Sequence, residues 1–374
     1  MRWCSRCVLP DTRPNLGLDA EGVCTACRAH AARPAVDWDA RAADWSRLVE
    51  WARGEAGGCY DCLRPVRGGK DSTWQVATCL DAGLRPLCVT WRPPGRTAIG
   101  ERNLRNLISL GVDHIDYSVS PRVEAAFARA AFLRRGDPAI PMHMALFAIP
   151  LTIAVRFRIP LVVWGENSAV EYGTSDGVGV GQALDAAWLA RFGVTGGTTW
   201  RDWVGAEGLT ERDLIAHRAP SDAELEGAGC RAVFLGHFLP WDPEMVLAAA
   251  VAKGFRPDPD GPRTGAYDYA DIDDDMISVH HWLKWHKFGF TRTFDNLSLE
   301  IRNGRMTREQ AVAAIRARGD ETPGADLDRF AAFTGLSRAA VDEAADGFRD
   351  PRVWSRRDGA WVIDDFLIPD WSWT

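Results

Sequence analysis

Short apolar runs alternate with helical patterns between residues 62 and about 175. The strand-like runs are LRPLCVTW, VDHIDYSV and RIPLVVWGEN. The segments TAIGERNLRNLISLG and PRVEAAFARAAFLRR lie between them and place apolar residues at the spacing of a helix with one buried face. An alternation of strands and helices predicts an α/β fold with a doubly wound parallel sheet, in which helices cover both faces.

The patterns also divide the chain into parts. Residues 36–57 have the spacing of an amphipathic helix. Residues 176–229 are rich in glycine and tryptophan at first, and become helical after the capping box Ser221-x-x-Glu224. We therefore predict an N-terminal module (1–35), a linking helix (36–57), an α/β domain (58–240) with an insertion near 176–229, and a mainly helical C-terminal region (241–374).

The composition narrows the class of protein. The chain has 374 residues, of which 46% are hydrophobic and 25% charged, and these values are typical of a globular protein with a sizeable core. The most apolar stretch, 145–164, is interrupted by two arginines and two prolines, so it predicts a buried helix and strand rather than a membrane span. The N-terminus lacks the apolar segment of a secretory signal. A net charge of −7 argues against nucleic-acid binding by bulk electrostatics.

Two cysteine pairs near the N-terminus have the spacing of a metal site. Two residues separate Cys4 from Cys7 and Cys24 from Cys27, and sixteen residues lie between the pairs. This arrangement is typical of a tetrahedral zinc site with four cysteine ligands. Four thiolates leave no open position for a substrate, so we predict a structural zinc ion. Free cysteines in metal-type spacing also favour the reducing cytoplasm as the compartment.

A glycine-rich loop follows the first predicted strand of the α/β domain. The sequence RGGKDST (67–73) stands between the apolar run at 63–66 and a helical pattern. It is not a P-loop, because Arg64 and Asp71 occupy the positions of the first glycine and of the hydroxyl residue. A strand, a tight turn and a helix N-terminus nevertheless form a cradle for an anion. We predict phosphate binding at this loop, with Asp71 toward a magnesium ion.

Further candidates lie at the end of the later strand-like run, 158–167. In a parallel sheet the turn at Gly165, Glu166 and Asn167 lies at the same edge as the glycine loop, which favours contact with magnesium, nucleotide or substrate over a simple turn cap. Glu171 and Tyr172 come shortly afterwards, at loop positions. A lone histidine at 143 on an apolar helix is more typical of the core.

The segment 280–296 combines cations with aromatic residues. It contains three histidines, two lysines and Arg292, a composition that suits a sugar nucleotide but also an interface helix with solvated lysines. The acidic run of Asp271, Asp273, Asp274 and Asp275 is typical of a solvated turn or a weak metal site. Cys59 and Cys62 could be a sulfur-carrying pair, although a buried, inert Cys62 is the simpler interpretation.

The loop resembles a known signature. SGGxDS marks the PP-loop ATP pyrophosphatases, which activate a carbonyl oxygen with ATP and release pyrophosphate, and this chain reads RGGKDS. Arg67 thus stands where that superfamily has serine. The resemblance implies an ATP site formed by Arg67, Gly68, Gly69, Lys70, Asp71, Ser72 and Thr73, with Gly165, Glu166 and Asn167 opposite and with Lys70, Asp71 and Ser72 in catalysis.

Other strings narrow the resemblance to one family. CxxCVLPDTRP, GVCxAC, YDC, IPLVVWGEN, EYG, FLGHFLPWDP, HKFGFTR and EIRNGRMTREQA are spread over nearly the whole chain. They are similar to the N-acetyl sugar amidotransferases of surface-polysaccharide and nonulosonate biosynthesis, which convert an acetamido group to an acetamidino group. The resemblance implies substrate contacts at Glu171, Tyr172, His286, Lys287 and Arg292.

The resemblance also implies a reaction and partners. Mg-ATP would adenylate the amide oxygen of an N-acetyl sugar, and ammonia would then displace AMP. No cysteine has the nucleophile-elbow setting of a glutaminase, so a separate glutaminase subunit is expected, with a cyclase-like channelling subunit as a further candidate. Two alternatives stay open: a PP-loop sulfurtransferase that uses Cys59 or Cys62, and a non-catalytic sugar-nucleotide-binding protein, because Arg67 replaces the motif serine.

Overall fold

The computed structural model of the protein describes residues 1–33, 36–165, 167–172, 174 and 181–373. Five strands form the central sheet: β1 (Cys62–Pro65), β2 (Pro86–Trp91), β3 (Asp113–Tyr117), β4 (Leu161–Trp164) and β5 (Arg231–Phe234). They are ordered β3-β2-β1-β4-β5, and every neighbouring pair is parallel. The prediction of a parallel α/β sheet is confirmed.

The order of the strands positions the site. From β1 the chain builds β2 and β3 on one side, and it then crosses back to build β4 and β5 on the other. The direction of winding therefore reverses between β1 and β4. The segments that follow these two strands, beginning at Val66 and Gly165, are neighbours at the carboxyl edge of the sheet, which is where open parallel sheets bind ligands.

Helices cover both faces of the sheet. One face carries α2 (Trp38–Glu55), α3 (Lys70–Asp81) and α4 (Ala98–Ile108), and the other carries α5 (Pro121–Arg135) and α6 (Ile140–Phe157). The strands are short, and most of their side chains are buried on both faces, so Cys62 packs toward α2 while Leu63 packs toward α6. This burial on both faces explains why the strands appear in the sequence as continuous apolar runs.

Helix α6 is long and strongly apolar. It is long and apolar enough to cross a membrane by length and composition alone, but more than half of it is buried within the protein. Ala145, Ile149 and Ala154 pack against the sheet in the largest core cluster. These contacts are those of a core helix, as the interrupted apolar stretch in the sequence predicts.

The remaining elements flank the α/β core. The N-terminal module contains α1 (Thr25–Ala32), and the segment after β4 contains α7 (Ser168–Tyr172), α8 (Ala186–Phe192) and α9 (Asp222–Gly227). The C-terminal region comprises α10 (Pro243–Ala252), α11 (Ile277–Phe288), α12 (Arg292–Arg302), α13 (Arg308–Arg318), α14 (Gly324–Thr334), α15 (Arg338–Gly347) and a hairpin of β6 (Ser355–Arg357) and β7 (Ala360–Val362).

The N-terminal module packs on the C-terminal region rather than standing apart. The rings of Trp3 and Phe294 stack with centroids 5.5 Å apart. The Thr12 hydroxyl donates to the Phe288 carbonyl over 2.6 Å, and the Arg308 guanidinium donates to the Cys7 carbonyl over 3.1 Å. The first and last parts of the chain therefore share one hydrophobic core, and this contact brings the cysteine module close to the cavity described below.

Candidate active site

The glycine loop turns sharply between β1 and α3. Gly68 has a φ of +84°, and a Cβ built on it would lie 2.6 Å from the backbone nitrogen of Leu104. Gly69 is the N-cap of α3 in extended conformation and provides no side-chain cap. Ser72 Oγ accepts a hydrogen bond from the Arg67 amide over 3.3 Å, and Thr73 Oγ1 donates to the Gly69 carbonyl over 3.0 Å. The turn is thus held by its own hydroxyls, and the positive end of α3 lacks a side-chain cap.

Lys70 and Asp71 begin α3 and face a large cavity. Lys70 Nζ lies 2.8 and 2.9 Å from the two carboxylate oxygens of Asp71. It also lies over the rings of Trp241 and Tyr269, 5.2 and 5.5 Å from their centroids. The indole of Trp241 donates to Asp71 over 3.0 Å. Carboxylate and aromatic rings together hold a largely buried ammonium group in place.

Arg67 is tied to the acidic run of the C-terminal region. Its Nε lies 2.6 Å from Asp273 Oδ2, and its Nη1 lies 3.7 Å from the sulfur of Met142. Burial alone would lower the pKa of Arg67, but Asp273 and the neighbouring Asp274 raise it. The guanidinium is therefore charged and has a counter-ion 206 residues away in the chain.

The acidic run is not a solvated turn. Asp271 and Asp275 are also in ion pairs, with Arg292 and Arg263 respectively. Asp274 is buried, which raises its pKa to about 6. The run itself does not indicate these pairings, because the partner arginines lie outside it, at positions 67, 263 and 292.

The Arg67–Asp273 pair leads to a measurable coupling. We expect Arg67→Ser and Asp273→Asn each to destabilise the protein by about 2–4 kcal/mol, because each leaves a poorly solvated partner without its counter-ion. The double variant should be about 1–3 kcal/mol more stable than the sum of the single changes implies. Urea unfolding of the four proteins measures this difference, and strict additivity would show that the pair does not stabilise the loop.

One cavity of about 760 Å³ joins these elements. Lys70 and Asp71 lie on one side, and α6, α11 and α12 form other walls. The segment 13–15, between the two cysteine pairs, lies in the wall as well. A volume of this size is typical of sites for small molecules and cofactors. The glycine loop, the cysteine module and the C-terminal helices therefore border the same space.

A group of cations forms what we call the basic wall of the cavity: Arg13, Lys284 and Arg292 around the buried carboxylate of Asp295. Arg13 Nε and Lys284 Nζ lie 2.8 and 3.1 Å from that carboxylate. Burial alone would raise the pKa of Asp295, but Lys284 and Arg13 hold it well below its usual range. Asp271 pairs with Arg292, so three cations face two carboxylates among these described residues, and the wall keeps a net positive charge that suits an anionic ligand.

Aromatic rings form another part of the cavity. Tyr267 and Tyr269 stack with centroids 4.7 Å apart and an interplanar angle of 15°. Trp241 lies nearby over Lys70, and Phe147 packs against Trp188 at the far side. Flat apolar surfaces next to cations suit a ligand that has a ring and a charged group.

The structure brings some of the predicted site residues together and separates others. Glu171, Lys287 and Arg292 border the cavity with Lys70, Asp71 and Arg67. His286 does not: it is buried on the opposite side of α11, with its ring 4.3 Å from that of Trp282. Glu166 and the side chain of Tyr172 lie outside the described residues.

Residues in the turn after β4 have a structural role. Asn167 Oδ1 accepts from the Ala169 amide and from the Trp188 indole, each over 2.9 Å, and its amide group donates to the Gly181 carbonyl. A Cβ at Gly165 would lie 2.3 Å from Gln75 Nε2, so this glycine allows the close approach of α3. Neither residue borders the cavity, and both shape the edge of the sheet on which it rests.

The four N-terminal cysteines form a buried cluster. Their sulfur atoms all lie within 4.8 Å of one another, with Cys4–Cys27 at 3.9 Å and Cys7–Cys24 at 3.7 Å. A tetrahedron of thiolates around zinc has sulfur–sulfur edges of about 3.8 Å. The amides of Arg6, Cys7 and Cys24 donate to Cys4 Sγ, as zinc knuckles do for a thiolate. These residues therefore fit a structural zinc ion.

Cys59 and Cys62 are not near the cavity. Cys59 is exposed and Cys62 is fully buried in the first strand. A hydrogen bond with Cys79 and burial raise the pKa of Cys62 well above its usual range, which disfavours a reactive thiolate. Neither cysteine is among the residues that border the cavity, so this geometry does not favour a sulfur-carrying pair.

Comparisons with known proteins match a family model in the C-terminal region and a solved structure over most of the chain. Residues 263–366 match the family model described as "LPS biosynthesis protein WbpG-like, C-terminal domain". A search of curated proteins gives no significant match. Among solved structures, NMN synthetase from Francisella tularensis aligns over 78% of this chain and 92% of its own, with 13% identity and a TM-score of 0.32. Helices α11 and α12, which form walls of the cavity, thus lie within the stretch that matches this family model.

Proposed function

We propose that this chain is an AMP-forming, ATP-dependent amidotransferase acting on the N-acetyl group of a sugar nucleotide or a similar amide acceptor. The observation that carries the proposal is the shared cavity. Lys70 and Asp71, at the start of the helix that follows the glycine loop, border the same 760 Å³ as the basic wall. A nucleotide at the loop and an anionic acceptor at the wall would therefore meet within one cavity.

The loop side supports the ATP part of the proposal. Phosphate oxygens bind to backbone amides at a helix N-terminus, and here α3 begins without a side-chain cap. Lys70 and Arg67 add positive charge, although both already have carboxylate partners, so bound phosphate would share them. A magnesium ion that arrives with the nucleotide would take the Asp71 carboxylate as a ligand and neutralise phosphate charge.

The side of the cavity opposite the glycine loop supports the second part of the proposal, the binding of the acceptor. The basic wall and Lys287 suit a diphosphate, and the tyrosine pair suits a sugar or base ring. Glu171 borders the cavity, and its carboxylate would accept hydrogen bonds from hydroxyl groups of the acceptor. The match of residues 263–366 to an LPS biosynthesis model supports an acceptor from the synthesis of surface polysaccharides.

The reaction follows from these two sites. The acceptor's amide oxygen attacks the α-phosphorus of ATP, pyrophosphate leaves, and an O-adenylated imidate forms. Ammonia then adds to the imidate carbon, and AMP departs with the former amide oxygen to leave an amidine. The chain's contribution is to align the two reactants and to stabilise charge around the phosphates. Ammonia would come from a separate glutaminase subunit, with a cyclase-like protein as a candidate channel.

Product analysis tests this proposal. The purified chain is incubated with Mg-ATP, ammonium and a panel of N-acetylated sugar nucleotides, and nucleotides and sugars are resolved by mass. We expect AMP and pyrophosphate only when ammonium and a suitable acceptor are both present, with NH replacing one oxygen in the sugar product. Formation of ADP in place of AMP would contradict the mechanism.

A further inference from the structure

A second polar cluster borders the cavity beside the glycine loop. His280 Nδ1 lies 2.9 Å from Asp137 Oδ1, and the ring of His143 lies 5.7 Å from that of His280. All three residues border the cavity. His143 follows Met142, whose sulfur contacts Arg67, so the cluster adjoins the loop on the α6 side. The phosphate and acceptor contacts described above do not use these three side chains.

The hydrogen bonds fix which nitrogen of His280 carries the proton. Burial alone would raise the pKa of Asp137, but His280 and Lys287 hold it below its usual range, so the carboxylate is ionised and can only accept. It accepts from the Ala139 amide over 3.1 Å and from His280 Nδ1. With Nδ1 as the donor to this carboxylate, the acceptor nitrogen of the His280 ring is Nε2, for which the described part of the chain provides no hydrogen-bond partner. This is the arrangement in which a carboxylate orients a histidine base.

His143 offers a second lone pair. Its Nδ1 lies 2.9 Å from the Ala139 carbonyl, which can only accept, so Nδ1 carries the proton. Burial lowers the pKa of His143 to about 4, and the ring is neutral near pH 7. Two imidazole nitrogens that accept hydrogen bonds thus border the cavity on neighbouring helices. The charges of Arg67 and Lys287 are matched by those of Asp273 and Asp137, so the cluster has no net charge that would favour ammonium over a neutral donor of hydrogen bonds.

We infer that His143 and His280 form the ammonia site of the enzyme, with His280 as the base and Asp137 as the residue that positions it. Ammonia has three N–H donors and one lone pair, so two imidazole acceptors hold it with the lone pair directed at the imidate. The inference rests on the proposed function and extends it, because it assigns the nucleophile's site and the fate of its proton.

The proton balance requires such a base. When the ammonia lone pair forms the new C–N bond, the nitrogen becomes positively charged, and it has no lone pair with which to assist the departure of AMP until it loses a proton. Transfer of one proton to His280 Nε2 leaves a neutral amino group. The C–O bond to the adenylate then breaks, its electron pair leaves with AMP, and the acceptor remains as an amidinium ion. A positioned base of this kind contributes about 10²–10⁴-fold to a rate.

The test compares two nucleophiles in His280→Gln. Hydroxylamine is a much weaker base than ammonia, so its adduct loses a proton to water without help and gives an amidoxime. We expect AMP formation with ammonium to fall by about 10²-fold or more, while AMP formation with hydroxylamine stays within about fivefold. Asp137→Asn, which removes the ionised partner, should show the same split with a smaller loss, roughly tenfold or more. His114→Gln, on the edge strand β3, is the matched control and should change neither rate.

Acceptor-dependent exchange of pyrophosphate into ATP reports folding and adenylation separately from the ammonia step. Retained exchange with lost ammonium-dependent turnover supports the inference. Equal losses with both nucleophiles, or no loss with either, would overturn it. If His280→Gln loses pyrophosphate exchange, the test rests on Asp137→Asn. A loss of AMP formation with ammonium but not with hydroxylamine in that variant supports the inference, and equal losses overturn it. If the unaltered chain forms no AMP with either nucleophile, the proposed function fails and the inference fails with it.

Discussion

Replacing Gly68 with alanine is expected to destabilise the protein by about 2–5 kcal/mol and to abolish ATP binding. Two costs add here. The backbone of Gly68 has a φ of +84°, which L residues rarely adopt, and the new Cβ would lie 2.6 Å from the Leu104 nitrogen on α4. A strained φ costs about 1–2 kcal/mol, and overpacking against backbone costs about 1–3 kcal/mol more. The loop can relieve the clash only by leaving α4, which would dismantle the turn before α3.

Gly69→Ala is the matched control for this prediction. Gly69 has a φ of −68°, and no atom lies within 4 Å of a Cβ built on it. We expect a loss of at most about 1 kcal/mol, from the weaker N-cap preference of alanine. Urea unfolding and calorimetric titration with ATP measure both variants. Similar stabilities for the two proteins would contradict the close contact between the loop and α4.

Removing zinc is expected to unfold the N-terminal module and to abolish binding of the acceptor. Structural zinc contributes about 10–16 kcal/mol of apparent binding free energy in small modules, and here the cysteine cluster also holds the segment that carries Arg13. Loss of this segment would leave Asp295 with fewer counter-ions in a buried position. Cys24→Ser or a chelator should therefore weaken acceptor binding much more than ATP binding, because the described residues of the module border the cavity through the segment 13–15, whose Arg13 belongs to the basic wall.

Cys59→Ser serves as the control for the zinc experiment, because Cys59 is exposed and lies outside the four-cysteine cluster. Metal analysis should find one zinc ion per chain in the control and none in Cys24→Ser. The tryptophan fluorescence of the chain, to which Trp3 stacked on Phe294 contributes, should change only in Cys24→Ser as the module detaches. Intact acceptor binding after complete removal of zinc would contradict the placement of the module at the cavity.

Much of the fold could be predicted from the sequence. The apolar runs at β2, β3 and β4 are short and separated by helical patterns, and this alternation has few solutions other than a parallel sheet. The four-cysteine cluster and the glycine loop could also be recognised in the sequence, because each is formed by residues that are close together in the chain. The domain boundaries stay predictions.

Contacts between distant segments could not be predicted. Nothing in residues 67–73 indicates that Arg67 pairs with Asp273, and nothing in the cysteine module indicates that Arg13 reaches Asp295. Both contacts depend on how the C-terminal helices pack against the rest of the chain. The interpretation of the acidic run as a solvated turn was wrong for this reason: its counter-ions come from elsewhere in the fold.

The spacing of polar residues along helix α11 is a signal that can be recognised in the sequence. His280, Lys284 and Lys287 recur at intervals of four and three residues and border the cavity, whereas Trp282 and His286 fall on the buried face. Helical periodicity separates the two groups. The resemblance to the family string HKFGFTR made both His286 and Lys287 candidates for substrate binding. Only their positions on the helix show that Lys287 borders the cavity and His286 does not. The same periodicity would have selected His280.

The central claim is that the acceptor's amide oxygen is adenylated. It is tested most directly with an acceptor whose acetamido oxygen carries a heavy isotope, incubated with the chain, Mg-ATP and ammonium. The account predicts that the label appears in the phosphate group of AMP, because the C–O bond breaks when the amidine forms. Recovery of the label in inorganic phosphate, or its retention in a nitrogen-containing product, would contradict adenylation of the amide and with it the proposed reaction.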